Sequence, residues 1–252
     1  MGLPSVSAIE SATLSNWPAL QTAYDGSWVW RAARGHSNRA NSINCLDPRD
    51  GDDAPLRIAL LAELYVRNGL PPVFRITPLS APSIDRALDA LNWSRYGSSH
   101  VLAMAMPVHD TAPRHHTALF EPLDPDWHLT QAEMSGYDAR TIDTLRLILA
   151  AIPTDSRGVL AYDQNGLPAA AVLASVSCGV ATFVNVVARA SHRGQGFGRA
   201  AITAALNWCR DAGATGAALQ VAADNPVAIK LYSSLGFARA YDYVYRRPTI
   251  GP

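Results

Sequence analysis

The residues Arg193-Gly194-Gln195-Gly196-Phe197-Gly198-Arg199-Ala200 form the segment of this sequence best suited to chemistry. Three glycines fall within five residues, directly after a β-branched run and directly before an apolar helical pattern. A strand, a glycine-rich turn and a helix N-terminus aim several backbone N–H groups at one spot, and the helix dipole favours negative charge there. Glycine also lets the backbone approach a ligand closely. The chemistry expected is recognition of a phosphate or a similar anion. The spacing differs from the dinucleotide pattern G-x-G-x-x-G, and the P-loop lysine is missing, which argues against nucleotide hydrolysis. Taken alone, this glycine spacing also occurs in ordinary turns.

The elements around the loop must position it. Val180 to Ala188 reads as a strand rich in β-branched residues and mostly apolar on both faces, as a central buried strand requires. No carboxylate lies on it, and Asn185 within it either orients a water or an acceptor or makes a structural contact. Upstream, Arg157–Tyr162 and Pro168–Ser177 read as a hairpin whose turn, Gln164-Asn165-Gly166, supplies positive-φ residues, and Cys178-Gly179 turns the chain again. A helix is expected over Ala139–Ile152, with Ile142, Leu145, Ile148 and Leu149 on one face and Pro153 ending it. Before it stands a short apolar stretch, Ala118 to Phe120. Downstream, a helix over Ala201–Ala212 leads to a strand at Ala217–Val221. Asp224-Asn225-Pro226 then caps a helix over Val227–Leu235, which ends at Gly236-Phe237.

In order and spacing, Arg193-x-x-Gly196-x-Gly198 followed by Asn225, Ala228, Tyr232, Gly236 and Phe237 resembles the two motifs of the GCN5-related N-acetyltransferases. The resemblance is close over roughly the last 70 residues and loose over about 135. It implies that N–H groups from Gly194, Gln195, Gly196, Phe197, Gly198, Arg199 and Ala200, with Arg193 and Asn225 beside them, hold coenzyme A. It implies further that the backbone of Val186, Val187 and Ala188 pairs with the pantetheine arm, that an N–H near Val187 polarises the thioester carbonyl, and that Tyr232 protonates the leaving thiolate. Against these stand plainer roles: a surface cation for Arg193, a core aromatic for Tyr232 and a helix cap for Asn225. Lys230 and the Arg199 side chain are expected to be solvated. The chain departs from the family pattern at Ala188-Arg189-Ala190, where many relatives have Val-x-Pro, and this leaves the strand register open by about a residue.

The first half repeats the same grammar. A helix over Leu56–Asn68, a strand over Val73–Thr77 and a helix over Ser83–Ala90 follow the order of the second half, and the pairs Gly213/Gly69, Pro226/Pro82 and Leu235/Leu91 share one offset of 144 residues. At that offset the glycine loop falls on Arg49-Asp50-Gly51-Asp52-Asp53-Ala54 and Tyr232 falls on Leu88. Three carboxylates would repel a diphosphate, and leucine donates no proton. The offset points to two copies of one α/β fold, and the resemblance implies that each is a mixed, mostly antiparallel sheet flanked by helices: a degenerate copy over residues 1–107 and a catalytic N-acetyltransferase domain over 108–252. The Pro-rich polar run Pro107–His116 is the linker candidate. Trp28 to Ser42 is dense in arginine, asparagine and tryptophan. Arg31, Arg34 and Arg39 either line an acceptor pocket or pair with the acidic residues Asp47 to Asp53.

Composition bounds the rest. Lys plus Arg and Asp plus Glu both count 21, so no global field draws the chain to nucleic acid or to anionic lipid. No apolar run approaches the ~20 residues that span a bilayer, and a cytoplasmic location is the default expectation. The three cysteines, Cys45, Cys178 and Cys209, show no C-x-x-C spacing and read as buried thiols in a reducing compartment. His109, His115 and His116 have the right chemistry for a metal but lie in a linker, and no metal is expected. The activity expected is transfer of an acetyl group from acetyl-CoA to a primary amine, on a small molecule or a peptide. The rival readings are an acyl-CoA sensor without turnover and a transferase using a longer acyl-CoA. Neither the acceptor nor the oligomeric state is legible.

Overall fold

The computed structural model describes residues 2–107, 109 and 111–249. In chain order the elements are α1 (Val6–Asn16), β1 (Gln21–Asp25), β2 (Trp28–Ala32), β3 (Ile43–Cys45), α2 (Ala54–Arg67), β4 (Phe74–Ile76), α3 (Pro82–Ala90), β5 (Trp93–Ala105) and β6 (Thr117–Phe120). They continue with α4 (Pro125–Ser135), α5 (Ala139–Ala150), β7 (Asp155–Tyr162), β8 (Pro168–Ser177), β9 (Val180–Ala188), α6 (Phe197–Asp211), β10 (Gly216–Ala222), α7 (Pro226–Ser233) and β11 (Ala238–Pro248). The chain forms two compact units. One takes the residues up to Pro18, Leu102–Gln220 and Val227–Ala238; the other takes Ala19–Val101, Val221–Pro226 and the residues from Arg239 onward.

In the unit that carries the glycine loop, the strand order is the end of β5, then β10, β9, β8, β7 and β6. The ladders from β6 to β9 are antiparallel, and β9 pairs with β10 in parallel. Helices α1, α4 and α6 pack on the central strands. The run Ala169–Ala174 of β8 is entirely buried, and its small side chains let the helices approach. Leu145, Ile148, Val159, Leu160, Val172 and Leu173 are at most 1% exposed, and burying each such side chain contributes roughly 1.5–3 kcal/mol. The β7–β8 turn depends on Asp163, whose Oδ1 accepts the N–H groups of Asn165 at 2.9 Å and Leu167 at 2.8 Å. Within that turn only Gly166 takes positive φ, so Asn165 does not adopt the conformation expected of it.

The other unit orders its strands β1, β2, β3, β4, β11 and β5. Trp28, Trp30, Ile43 and Phe74 from the sheet meet Ile58, Leu61 and Tyr65 of α2 and Ile84 and Leu88 of α3 in one apolar core. Its parallel pair, β3 with β4, corresponds to β9 with β10, and the series α2, β4, α3, β5 corresponds to α6, β10, α7, β11. The repeat inferred from the offset is present in the fold. These units nevertheless differ from the simple halves 1–107 and 108–252. The reason lies in two elements at the ends of the chain. Strand β11 pairs with β4 through Val244↔Ile76, Tyr245↔Arg75 and Arg246↔Phe74. Helix α1 packs on β8 and β9, where Asn16 donates to Ser175 O at 3.2 Å and Thr182 Oγ1 at 2.9 Å and accepts from Thr154 Oγ1 at 2.9 Å.

Candidate active site

The ladder between β9 and β10 ends before either strand does. Their parallel register runs from Val180↔Gly216 to Phe183↔Leu219, while β9 continues to Ala188. At that point β9 changes from buried, through Val184, to half-buried from Asn185 onward. Its other edge stays paired with β8 but contains a bulge: Ala171 faces Val187 and Leu173 faces Val184, so two residues, Asn185 and Val186, oppose Val172. Asn185 takes the left-handed conformation with φ 53°, which asparagine tolerates better than most residues. The bulge resolves the register left open by Ala188-Arg189-Ala190. The Asn185 Nδ2 atom is buried and has no hydrogen-bond partner among the described residues. Among the described residues that atom makes no structural hydrogen bond.

After β9 a short 3-10 turn, Ala190–His192, leads into the loop. Arg193, Gly194, Gln195 and Gly196 are exposed, with Gly194 at φ 78° and Gly196 at φ 91°. Helix α6 begins at Phe197, four residues earlier than its apolar pattern suggests, with Gly196 as its left-handed N-cap and no acidic residue in its first turn. The Ala200 N–H closes the first turn on Gly196 O at 3.0 Å, so the set of outward donors ends one residue earlier than expected. From Gly194 to Arg199, no N–H finds a backbone acceptor among the described residues. This is the arrangement that binds an anion at a helix N-terminus. The Arg199 side chain is half-buried and donates to Ser234 Oγ, which itself donates to Leu231 O at 2.6 Å.

Tyr232 lies on α7 and is 5% exposed, with its ring centroid 6.2 Å from that of Phe237 in an edge-on contact. Burial of a phenol in this unit suits either a core aromatic or a proton donor reached only by bound substrate. Asn225 is exposed at the start of α7, and its N–H bonds to Ala222 O at 3.0 Å.

A family model described as "Probable histone acetyltransferase Rv0428c C-terminal" matches residues 4–246. The chain belongs to this acetyltransferase family. An "Uncharacterized N-acetyltransferase YobR" from Bacillus subtilis is 28% identical over 254 residues, covering 97% of this chain and 99% of the relative. Among solved structures, a GCN5-related N-acetyltransferase from Kribbella flavida superimposes with a TM-score of 0.73 at 18% identity, covering 97% of this chain and 96% of that one. A tandem GNAT protein from the clavulanic acid biosynthesis pathway gives a TM-score of 0.71 at 15% identity, covering 99% of this chain and 90% of that one. At these identities the structures speak for the fold, which is that of a tandem GCN5-related N-acetyltransferase.

Within this acetyltransferase fold the N-terminal copy has closed its own loop. The Asp50 carboxylate accepts from Ser27 N and Ser27 Oγ, each at 2.7 Å, and from Arg57 Nη1 at 2.6 Å. The Arg57 guanidinium, together with the Ser27 donors and against the cost of burial, holds the Asp50 carboxyl well below the usual range. Trp28 Nε1 donates to Asp50 O at 2.8 Å, and Ser83 Oγ donates to Gly51 O at 2.8 Å. A Cβ at Gly51 would overlap Ser83 and Ala81, so this glycine serves packing. The sequence predicts that three carboxylates would repel a diphosphate at this loop, and the structure adds that one of them, Asp50, is engaged by Ser27 and Arg57.

Part of the polar run Trp28–Ser42 bonds within its own unit. Arg31 is buried and donates to Arg39 O at 2.7 Å. Asn41 accepts from Ala33 N at 2.7 Å and Gly35 N at 3.0 Å while donating to His36 O and Ser37 O, which ties the 33–37 loop together. Of the acidic residues, Asp47 pairs with Arg49 and Asp50 with Arg57. The cysteine reading needs one correction as well, because Cys178 is exposed in the β8–β9 turn while Cys45 and Cys209 are buried.

Sequence reasoning missed three residues around the glycine loop. His115 Nε2 meets Gln195 O at 3.0 Å, and its ring lies 4.0 Å from that of Phe197. His192 lies between Asp163 Oδ2, 3.2 Å from Nε2, and Ser191 Oγ, 2.9 Å from Nδ1. The Asp163 carboxyl is held below its ordinary range, chiefly by the Leu167 N–H and in smaller part by the Asn165 N–H and His192. Eighty positions separate His115 from Gln195, and no local pattern signals such a contact. The supposed linker is in fact pinned along α6, since Thr111 exchanges hydrogen bonds with the Asn207 side chain at 3.3 and 2.9 Å. Val108 and Asp110 of that segment lie outside the described residues.

Proposed function

We propose that the protein transfers an acetyl group from acetyl-CoA to a primary amine, on a small molecule or a peptide, in the unit that carries the glycine loop. The observation that carries this reading is the end of the β9–β10 ladder at Phe183↔Leu219, together with the N–H groups from Gly194 to Arg199, which have no backbone acceptor among the described residues. In this reading the N–H groups from Gly194 to Arg199, with Arg193 nearby, hold the diphosphate. The free edge of Val186, Val187 and Ala188 pairs with the pantetheine arm as an added strand would, a recognition mode that tolerates sequence change. The N–H near Val187, re-aimed by the bulge, polarises the thioester carbonyl. As the amine nitrogen bonds to the carbonyl carbon and the C–S bond breaks, Tyr232 gives its phenolic proton to the departing thiolate, and the proton that the acylated nitrogen then sheds passes through solvent to restore the phenol. In this reading Asn185 Nδ2, which has no hydrogen-bond partner among the described residues, donates to the thioester carbonyl oxygen. The N-terminal copy, with Asp50 locked onto Ser27 and Arg57, binds no coenzyme A.

Calorimetric titration with coenzyme A, followed by a screen of amines against acetyl-CoA with detection of released thiol, tests the proposal. Submillimolar binding and thiol release dependent on one class of amine are expected. Tight binding without turnover across a broad panel would favour an acyl-CoA sensor, and turnover only with longer acyl-CoAs would correct the donor. Absence of binding would remove the reading altogether.

A further inference from the structure

We infer that His115 is a positioning residue for the diphosphate loop, and that the strap from Thr111 to His116 belongs to the coenzyme A site. The inference rests on the reading of Gly194 to Arg199 as the diphosphate cradle. Both ends of the strap are fixed. Thr111 is tied to Asn207 of α6. At the other end, His116 O accepts the Tyr162 N–H at 2.9 Å, its ring lies 5.3 Å from that of Tyr162, and the β6–β7 ladder begins at Thr117↔Ala161. His115 therefore reaches the loop from a backbone that cannot drift.

What it does there follows from peptide geometry. A carbonyl only accepts, so the His115 Nε2 carries the proton donated to Gln195 O at 3.0 Å. In a trans peptide the C=O of Gln195 and the N–H of Gly196 point in opposite directions. Holding the carbonyl on the His115 side turns the Gly196 N–H to the opposite side. Glycine permits the required φ of 91°, but it permits negative φ as readily, so Gly196 alone does not enforce this orientation. A flip of the Gln195–Gly196 peptide would put a carbonyl oxygen where a donor is needed and set it against the phosphate charge. The hydrogen bond from His115 opposes that flip. Phe197, 5% exposed, adds a second restraint, because its ring is flanked by His115 at 4.0 Å and by His192 at 5.4 Å. His192 is itself held by Asp163.

The test uses the full-length protein and three variants: His115→Ala, which loses ring and donor; His115→Phe, which keeps a ring; and His115→Gln, which keeps an N–H donor. Dissociation constants are measured for coenzyme A, and turnover is measured with acetyl-CoA and with S-acetylpantetheine, which lacks the diphosphate. One net hydrogen bond of ordinary strength predicts about a three- to tenfold rise in the coenzyme A Kd for His115→Ala and His115→Phe. Turnover at saturating acetyl-CoA and the kcat/KM for S-acetylpantetheine should stay within twofold of wild type, and His115→Gln should recover most of the affinity. His115→Phe binding coenzyme A like wild type overturns the inference, as does equal loss toward both donors, which would indicate general damage. If the wild-type protein binds no coenzyme A, the reading of the loop falls and this inference with it. Wild-type binding with an indifferent His115→Phe removes the role of His115 alone.

Discussion

Replacing Gly196 with alanine should weaken coenzyme A binding roughly five- to thirtyfold while costing little more stability than the same change elsewhere. Gly196 sits at φ 91° and ψ 0°, where an L-residue pays about 1–2 kcal/mol. The new Cβ would also lie 3.4 Å from His115 Nε2, close enough to disturb the hydrogen bond to Gln195. The loop can relieve the strain by turning φ negative, which swings the Gln195–Gly196 peptide and misaims its N–H. Binding must then reverse that swing, and 1–2 kcal/mol corresponds to the stated loss of affinity. Gly166→Ala is the control. It introduces similar strain at φ 79° in the β7–β8 turn, where an added Cβ meets nothing within 4 Å. Its expected effect is a fall in Tm of ~2–8 °C with no change in Kd. Isothermal titration and scanning calorimetry on both variants provide the assay. A folded Gly196→Ala protein with wild-type affinity, or an equal loss of affinity in Gly166→Ala, would refute the assignment of the loop.

Tyr232→Phe keeps the ring that packs edge-on to Phe237 and removes only the proton donor, so kcat should drop by ~10²-fold while the coenzyme A Kd stays within twofold; turnover within twofold of wild type, measured where chemistry limits the rate, would contradict that role. Asn185→Gly keeps the left-handed backbone at φ 53° and deletes the amide, and it should lower kcat/KM for the amine about three- to tenfold with little change in Tm. A lowered Tm with intact kinetics would make the amide structural. Asp50 has a folded-state pKa below its unfolded value of ~3.9, so its contribution to stability is fully present well above that value and is lost as pH falls below it. Wild-type Tm should therefore fall steeply on acidification below about pH 4, and Asp50→Asn should show a lower Tm at pH 7 with a flatter acid limb; parallel limbs would place the acid sensitivity elsewhere.

The parts of the site that depend on local spacing were legible. The strand Val180–Ala188 matches β9 at both ends, and the loop lies between that strand and α6 as the residues require. The order of elements in the first half was legible through one constant offset, because a duplicated fold repeats its turn and helix-end residues. Helix α4 was not read, although Asp124-Pro125 at its start and Gly136 at its end are ordinary signals, because its buried residues Trp127, His128, Gln131 and Ala132 include polar ones that blur the apolar stripe. Helix α1 was missed for a related reason: it packs on β8 and β9 partly through the amide of Asn16, which has no hydrophobic signature. The bulge at Asn185 and the reach of His115 are tertiary events. One is set by the pairing partner of β9 and the other by a strap far away in sequence.

The pairing of β11 with β4 has a consequence for synthesis. Ile76 leaves the ribosome long before its partner Val244, and at ~5–20 residues per second the interval is on the order of ten to thirty seconds. Throughout that time β4 presents an unpaired edge, the kind of surface that invites mispairing with another chain. Its brevity, three residues, limits the hazard. A nascent chain released before residue 244 would lack the strand that pairs with β4, so premature termination near the C-terminus should damage the N-terminal copy and leave Gly194 to Arg199 untouched in sequence. Selection on the last strand is therefore selection on the first half of the protein.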